Sequence, residues 1–218
     1  MCPEELAARH PRLYHLTDPQ AVPGILRHGL LPTSCLLSLF DVPAQDRSRI
    51  EGQRRPASVR LTHPVHGQAT ITDNLPLSMT ALSSCLDDRL TPEDWLRILN
   101  RRVFLWADRG GLSRLLGARL NRNRERAVLV LDTLSVARRY SDCIELSPIN
   151  SGATMRRAAR RGLSTFTPML RHSYDEWRRL RGGRDRVLEV TIVGRVTDVA
   201  DHLLDMRHVT GRLDGGEA

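Results

Sequence analysis

Lysine is missing from this chain: all 33 basic residues among its 218 are arginine. Nucleotide bias in a GC-rich genome is the bland reading of part of that preference, but its physical consequence stands whatever the cause. Arginine forks bind phosphates through two parallel hydrogen bonds, and the net charge of +8 attracts polyanions. A nucleotide or a nucleic acid is therefore an expected partner, and charge alone does not separate the two. Aromatic residues are also scarce, at 4%, so each Trp, Tyr and Phe carries information about where rings are needed.

Other absences remove whole classes. The four cysteines, Cys2, Cys35, Cys85 and Cys143, form no CxxC, which argues against a zinc ribbon or a dithiol redox site and for reduced thiols. No HExxH or ordered Cys/His set is present, so no metal is expected; His63 and His66 read as surface histidines of a turn. GxGxxG, GxxxxGK[ST] and GxSxG are all missing, which removes the common phosphate-cradling loops and a serine hydrolase. No stretch approaches the ~20 apolar residues of a membrane span, and no basic segment leads into an apolar leader. A soluble, cytoplasmic protein without a membrane partner is expected. There is no internal repeat and no low-complexity segment.

The length suits one domain with a proper core. We expect it over residues 1–208, followed by a flexible tail over 209–218. The pattern predicts a helix over 3–9, a strand over 13–16, and a helix capped by Asp18 that carries Val22, Ile25 and Leu26 and stops at Gly29. Helices over 34–40 and 44–55 follow, then a hairpin around His66-Gly67 and a helix over 78–85. Thr91-Pro92-Glu93-Asp94 is a capping box opening the next helix. Strands are predicted over 103–106, 126–132, 143–146 and 186–193, with helices over 112–119, 134–140 and 174–180 between them. Residues 196–204 read as a helix or turn, and the chain after Arg207 reads as frayed. The order is mixed, without the βαβ alternation of a doubly wound sheet, so the class is α+β.

Two polar residues stand out on apolar strands. Glu189 lies between Leu188 and Val190, and a carboxylate there is costly unless its face is wet or the charge is paired. It is either an exposed or ion-paired group, with Arg184 or Arg186 as partner, or a carboxylate at the floor of a cleft. His15 shares a strand face with Leu13 and Thr17, opposite Tyr14 and Leu16. It is either a hydrogen-bonded core residue or a ligand contact, and the glycine-ended helix beside it lets a flat ligand approach the backbone at Gly29.

The opening LYHLTDPQAVPGILRHGLLP resembles the first motif of DarT-like DNA ADP-ribosyltransferases, in which a His-x-Thr strand runs into a helix ending in a His-Gly-Leu turn. VLEVTIVGRVTDVADHL is similar to the end of those enzymes, where a strand bears the catalytic glutamate. RRVFLWADRGGLSRLL resembles the second motif of the wider ADP-ribosyltransferase superfamily. Together these stretches cover about a quarter of the chain. The resemblance implies an ADP-ribosyltransferase-like split antiparallel sheet with additional helices, and NAD as substrate without a metal. It implies Glu189 as the catalytic group, with His15 and Thr17 on the adenosine side and the backbone at Gly29 and Leu30 on the nicotinamide amide. Tyr14, Phe104 or Trp106 would stack on nicotinamide, and Arg54 or Arg55 would meet the diphosphate. Asn150, Ser151 and Arg156 are the expected acceptor contacts. DNA or RNA is the expected target, with a toxin or anti-phage role and a cognate hydrolase or antitoxin by analogy. Two alternatives remain open: a nucleotide- or nucleic-acid-binding module that lost catalysis, and an NAD-dependent RNA 2'-phosphotransferase.

Overall fold

A computed structural model describes residues 1–155 and 158–211. Helix α1 (Pro3–Arg9) precedes β1 (Arg12–Thr17), whose Asp18 caps a short turn into α2 (Val22–His28). Then come α3 (Thr33–Leu39), α4 (Ala44–Gly52), β2 (Val59–His63), β3 (Gly67–Ile71), α5 (Met79–Cys85) and α6 (Pro92–Asn100). Strand β4 (Arg102–Trp106), α7 (Arg109–Gly117), β5 (Glu125–Asp132), α8 (Thr133–Arg139), β6 (Ile144–Ser147) and β7 (Thr167–Pro168) follow. The order closes with α9 (Tyr174–Leu180), β8 (Glu189–Val193), α10 (Val199–His202) and β9 (Leu203–Thr210).

Seven strands form one sheet in the order β7-β6-β8-β4-β1-β5-β9, and every pairing within it is antiparallel. The class is therefore α+β. Alternation along the strands sorts side chains onto two faces. One face carries Leu13, Leu105, Leu129, Leu131, Val190 and Ile192, packed with Leu6 of α1, Val136 of α8, Trp177 of α9 and Val199 of α10. On the other, Leu112 and Leu116 of α7 cover Val128, Val130, Tyr14, Leu16 and Trp106. Further along that face, Trp95 and Leu96 of α6 pack with Phe104 and Phe166. The β2–β3 hairpin stands apart and builds its own small core with α3 and α4 from Leu37, Phe40, Ile50, Leu61 and Ile71.

Several expected boundaries move. α7 starts at Arg109, so Gly110 and Gly111 lie inside the helix instead of in a loop, because the Asp108 carboxylate accepts both their N–H groups at 2.9 and 2.7 Å. α4 ends at Gly52 and not at Arg55, leaving Arg54 and Arg55 free to reach carbonyls elsewhere. Strand β8 begins at Glu189, three residues later than expected. The largest difference is β9, which pairs with β5 through Thr210 where a frayed tail was expected. As an edge strand it alternates half-buried and exposed positions, with Val209 its one buried residue, and its pattern LLDMRHVT is weak in isolation. Residues 212–218 of the expected tail lie outside the described residues.

Candidate active site

The site is built where β1 and β4 part. These strands share a single register pair, Tyr14 with Trp106, whereas β1 stays paired to β5 from Arg12 to Thr17. His15 spans the opening gap and donates from Nδ1 to the Phe104 carbonyl at 3.0 Å. Since a carbonyl only accepts, the proton sits on Nδ1 and the neutral ring keeps Nε2 as an acceptor. Burial holds the His15 pKa below its ordinary value, against the opposing effect of the Phe104 bond, and this favours the neutral ring.

A cavity of about 260 Å³ fills the gap, lined by His15, Thr17, Ile25, Gly29, Leu30 and residues of α3 and the hairpin. A second cavity of about 210 Å³ is lined by Asn74, Asn100, Asn150 and Glu189. Thr33, Arg55, Arg102 and Phe104 line both. The two are lobes of one cleft, with His15 in one lobe and Glu189 in the other.

The wall at Gly29 is held closely. Its φ is +84°, and an added Cβ would stand 2.2 Å from the Val196 carbonyl oxygen. The Gly29 N–H donates to Ile25 O at 2.8 Å, while Leu30 and Val196 exchange N–H to carbonyl bonds of 2.9 Å in both directions. The turn that ends α2 is thus fastened to the chain that follows β8.

Glu189 occupies the first position of β8, opposite Trp106 on β4 and Ser147 on β6. It is 4% exposed, and both carboxylate oxygens accept the same Ser151 N–H at 3.2 Å. Burial pushes its pKa up to about 7, opposed by Ser151 and by the Arg161 charge. Arg55 lines both lobes. Its guanidinium donates to the carbonyls of Ile50 and Thr72 and to Asn100 Oδ1, at 2.7, 3.3 and 3.3 Å. All three acceptors are neutral and burial lowers its pKa; the carboxylate that opposes that effect, Asp73, is itself paired to Arg124 at 2.7 Å, so the cleft holds a partly desolvated cation without a carboxylate hydrogen bond of its own. Arg102, by contrast, is neutralised by Glu145 at 2.8 Å.

The expected site residues therefore divide. His15, Thr17, Gly29, Leu30 and Arg55 line the first lobe, and Asn150, Glu189 and again Arg55 the second. Tyr14 and Trp106 line neither lobe; their register places them on the face covered by α7, and of the three candidate rings only Phe104 borders the cleft. Arg54 is turned away, bonded to the carbonyls of Leu77 and Leu75 at 2.6 and 3.1 Å. The N–H groups of Gly29 and Leu30 are already used within the protein, so neither is a free donor for a nicotinamide amide. Ser151, expected at an acceptor, is fully buried behind Glu189. Arg156 lies outside the described residues. Glu189 bonds neither Arg184 nor Arg186, the ion-pair partners considered for it; its hydrogen bonds go to Ser151. His63 and His66 are not plain surface groups either: His63 Nδ1 accepts the N–H of Val65 and of His66, and its ring stacks on that of His66 at 4.6 Å.

Sequence reasoning missed Arg102, Asn74, Asn100 and Arg161. Nothing marks them locally, because an arginine among 33 carries no signal until the fold selects it. Among the described residues no group of three or more His, Cys, Asp or Glu is placed to hold a metal ion, and no helix is long and apolar enough to cross a membrane.

Fold and site together define an α+β protein whose split antiparallel sheet opens onto a cleft with a buried carboxylate at one end and a strand histidine at the other. The chain belongs to DUF7002, a family of unknown function, which it matches over residues 11–203. No curated protein matches it. Among solved structures it is similar to Thermosipho africanus DarTG in complex with ADP-ribose, at 14% identity and a TM-score of 0.46. That match covers 89% of this chain and 43% of the other, so this chain spans less than half of that protein.

Proposed function

We propose that this protein is an NAD-dependent ADP-ribosyltransferase that modifies a nucleic-acid base and releases nicotinamide. The observation that carries the reading is the continuous cleft joining His15 to Glu189 through Arg55 and Phe104. Its chemistry matches the parts of NAD. Arg55 offers a cation with neutral partners to the diphosphate. The neutral His15 presents Nε2 as an acceptor for a ribose hydroxyl. Phe104 supplies the ring beside the cleft, and Glu189 accepts from the 2'-hydroxyl of the nicotinamide ribose. The carboxylate then faces the positive charge that grows on that ribose as the bond from C1' to nicotinamide breaks. Nicotinamide leaves neutral with the bonding electron pair. A base nitrogen or oxygen forms the new bond to C1', and its proton passes to the Glu189 carboxylate.

The net charge of +8 favours a polyanionic acceptor over a protein. The test is incubation with NAD and single- or double-stranded DNA and RNA oligonucleotides, following free nicotinamide by chromatography and oligonucleotide mass. An adduct with equimolar nicotinamide in the parent, and neither in Glu189→Gln, is the expected result. NAD binding without either product would leave a ligand-binding module and end the enzyme reading. Transfer of an RNA 2'-phosphate that survives Glu189→Gln would replace it with a phosphotransferase.

A further inference from the structure

Glu189 is poorly compensated by its direct contacts. One N–H shared between two oxygens at 3.2 Å is a long, divided hydrogen bond for a carboxylate that is 4% exposed. The next layer supplies what is missing. The Ser151 carbonyl accepts from Arg161 Nη1 at 2.9 Å and from Trp95 Nε1 at 3.3 Å. Arg161 is itself 2% exposed, and its Nε donates to Ala159 O at 3.0 Å. Its backbone is pinned to the end of α5, with Arg161 N–H on Cys85 O at 2.9 Å and Asp87 N–H on Arg161 O at 2.8 Å.

A buried guanidinium is costly unless an anion offsets it. Among the described residues no carboxylate forms an ion pair with Arg161; its guanidinium meets the neutral carbonyls of Ala159 and Ser151 and the buried Cys85 thiol. Asp87 is taken by Arg160, and Asp88 accepts the Leu163 N–H. Ser151 therefore connects a buried cation to a buried anion, with its carbonyl on one and its N–H on the other. We infer that Arg161 is the positioning residue of the site: acting through Ser151, it aims the Glu189 carboxylate and supplies a counter-charge that favours its ionised form against the cost of burial. This inference rests on Glu189 being the acidic group of the proposed reaction.

Other charged groups face the same carboxylate. Arg55 and Arg102 line the same lobe as Glu189, with Arg102 offset by Glu145. The buried Cys85 thiol sits against the Arg161 guanidinium. Losing Arg161 leaves the Ser151 N–H bond to the carboxylate in place, so the effect is a shift, not an abolition.

The experiment reads the carboxyl directly. Protein labelled with 13C at glutamate side chains is titrated by NMR, with Glu189 assigned from Glu189→Gln, in the parent, in Arg161→Gln and in Arg161→Lys. Glutamine keeps a donor for the Ser151 carbonyl and drops the charge; lysine keeps the charge. The Glu189 midpoint is expected to rise by about one pH unit in Arg161→Gln and to stay near the parent in Arg161→Lys. If the parent transfers ADP-ribose, the rising limb of kcat against pH moves by the same interval, with KM for NAD little changed. An unchanged midpoint in a folded Arg161→Gln overturns the inference and leaves Arg161 as a loop fastener. Should Arg161→Gln not fold, Arg161→Lys decides, because a midpoint displaced upward despite the retained charge also overturns it. The titration does not require turnover, so absence of nicotinamide release would count against the proposed function and leave the Arg161 result standing.

Discussion

At Glu189 the carboxyl rises to about 7 because burial penalises its charge and a shared N–H offsets that only in part. A carboxyl raised from its ordinary 4.5 binds a proton more tightly in the folded state, so its contribution to stability is complete at low pH and is lost as pH climbs through about 7. Glu189→Gln removes that loss. Denaturant melts should show the variant gaining on the parent between pH 5 and 8, by on the order of 3 kcal/mol at most, while its nicotinamide release falls by about 10² or more. His15 has the opposite sign. Its depressed pKa makes the neutral ring the folded form, so its contribution is present above the ordinary imidazole value and is lost as pH falls through the lowered one. Long-range 1H–15N NMR should find the proton on Nδ1, the atom bonded to Phe104 O; a proton on Nε2 in the neutral ring would invert the proposed ribose contact.

On the scale of elements, the turn after α2 depends on one glycine. Gly29→Ala meets both the positive φ and the Val196 carbonyl at 2.2 Å. The expected cost is more than about 2 kcal/mol, read as a lower denaturant midpoint at unchanged slope; a loss below about 0.5 kcal/mol would show that the Leu30–Val196 bridge is dispensable. The β2–β3 hairpin is the weak element, since a two-stranded sheet with a small core lacks the support that β5 has between β1 and β9. Hydrogen exchange should open the hairpin amides well before those of β5, and under the proposed function NAD in the lobe lined by Gln68 to Asp73 should slow them. How legible each element was follows from its burial. Strand β5, buried from Arg126 to Leu131, was read to within one residue, and α6 was announced by its Thr91 capping box. Strand β9 was missed because an edge strand needs neither a long apolar run nor two buried faces.

On the scale of the whole molecule, the arginine charge predicts strongly salt-dependent binding of nucleic acid. Oligonucleotide affinity should fall by at least tenfold between 50 and 200 mM salt if several phosphates are contacted; a flat profile would point to a small-molecule or protein acceptor. Local sequence determined the polar residues on the opening strand, the glycine stop after α2 and the carboxylate within an apolar run, because each breaks a periodic pattern that can be read without partners. It also determined the α+β class, through the mixed order of its elements. Only the tertiary structure decided which residues meet. The single register pair between β1 and β4 opens the sheet, and that opening brings His15 and Glu189 to one cleft across some 170 positions of chain. The same packing selects Arg55 over Arg54, turns Tyr14 and Trp106 under α7, and buries Arg161 behind Ser151. Those choices depend on long-range register and on which charges lose their water, and neither quantity is written in any local stretch.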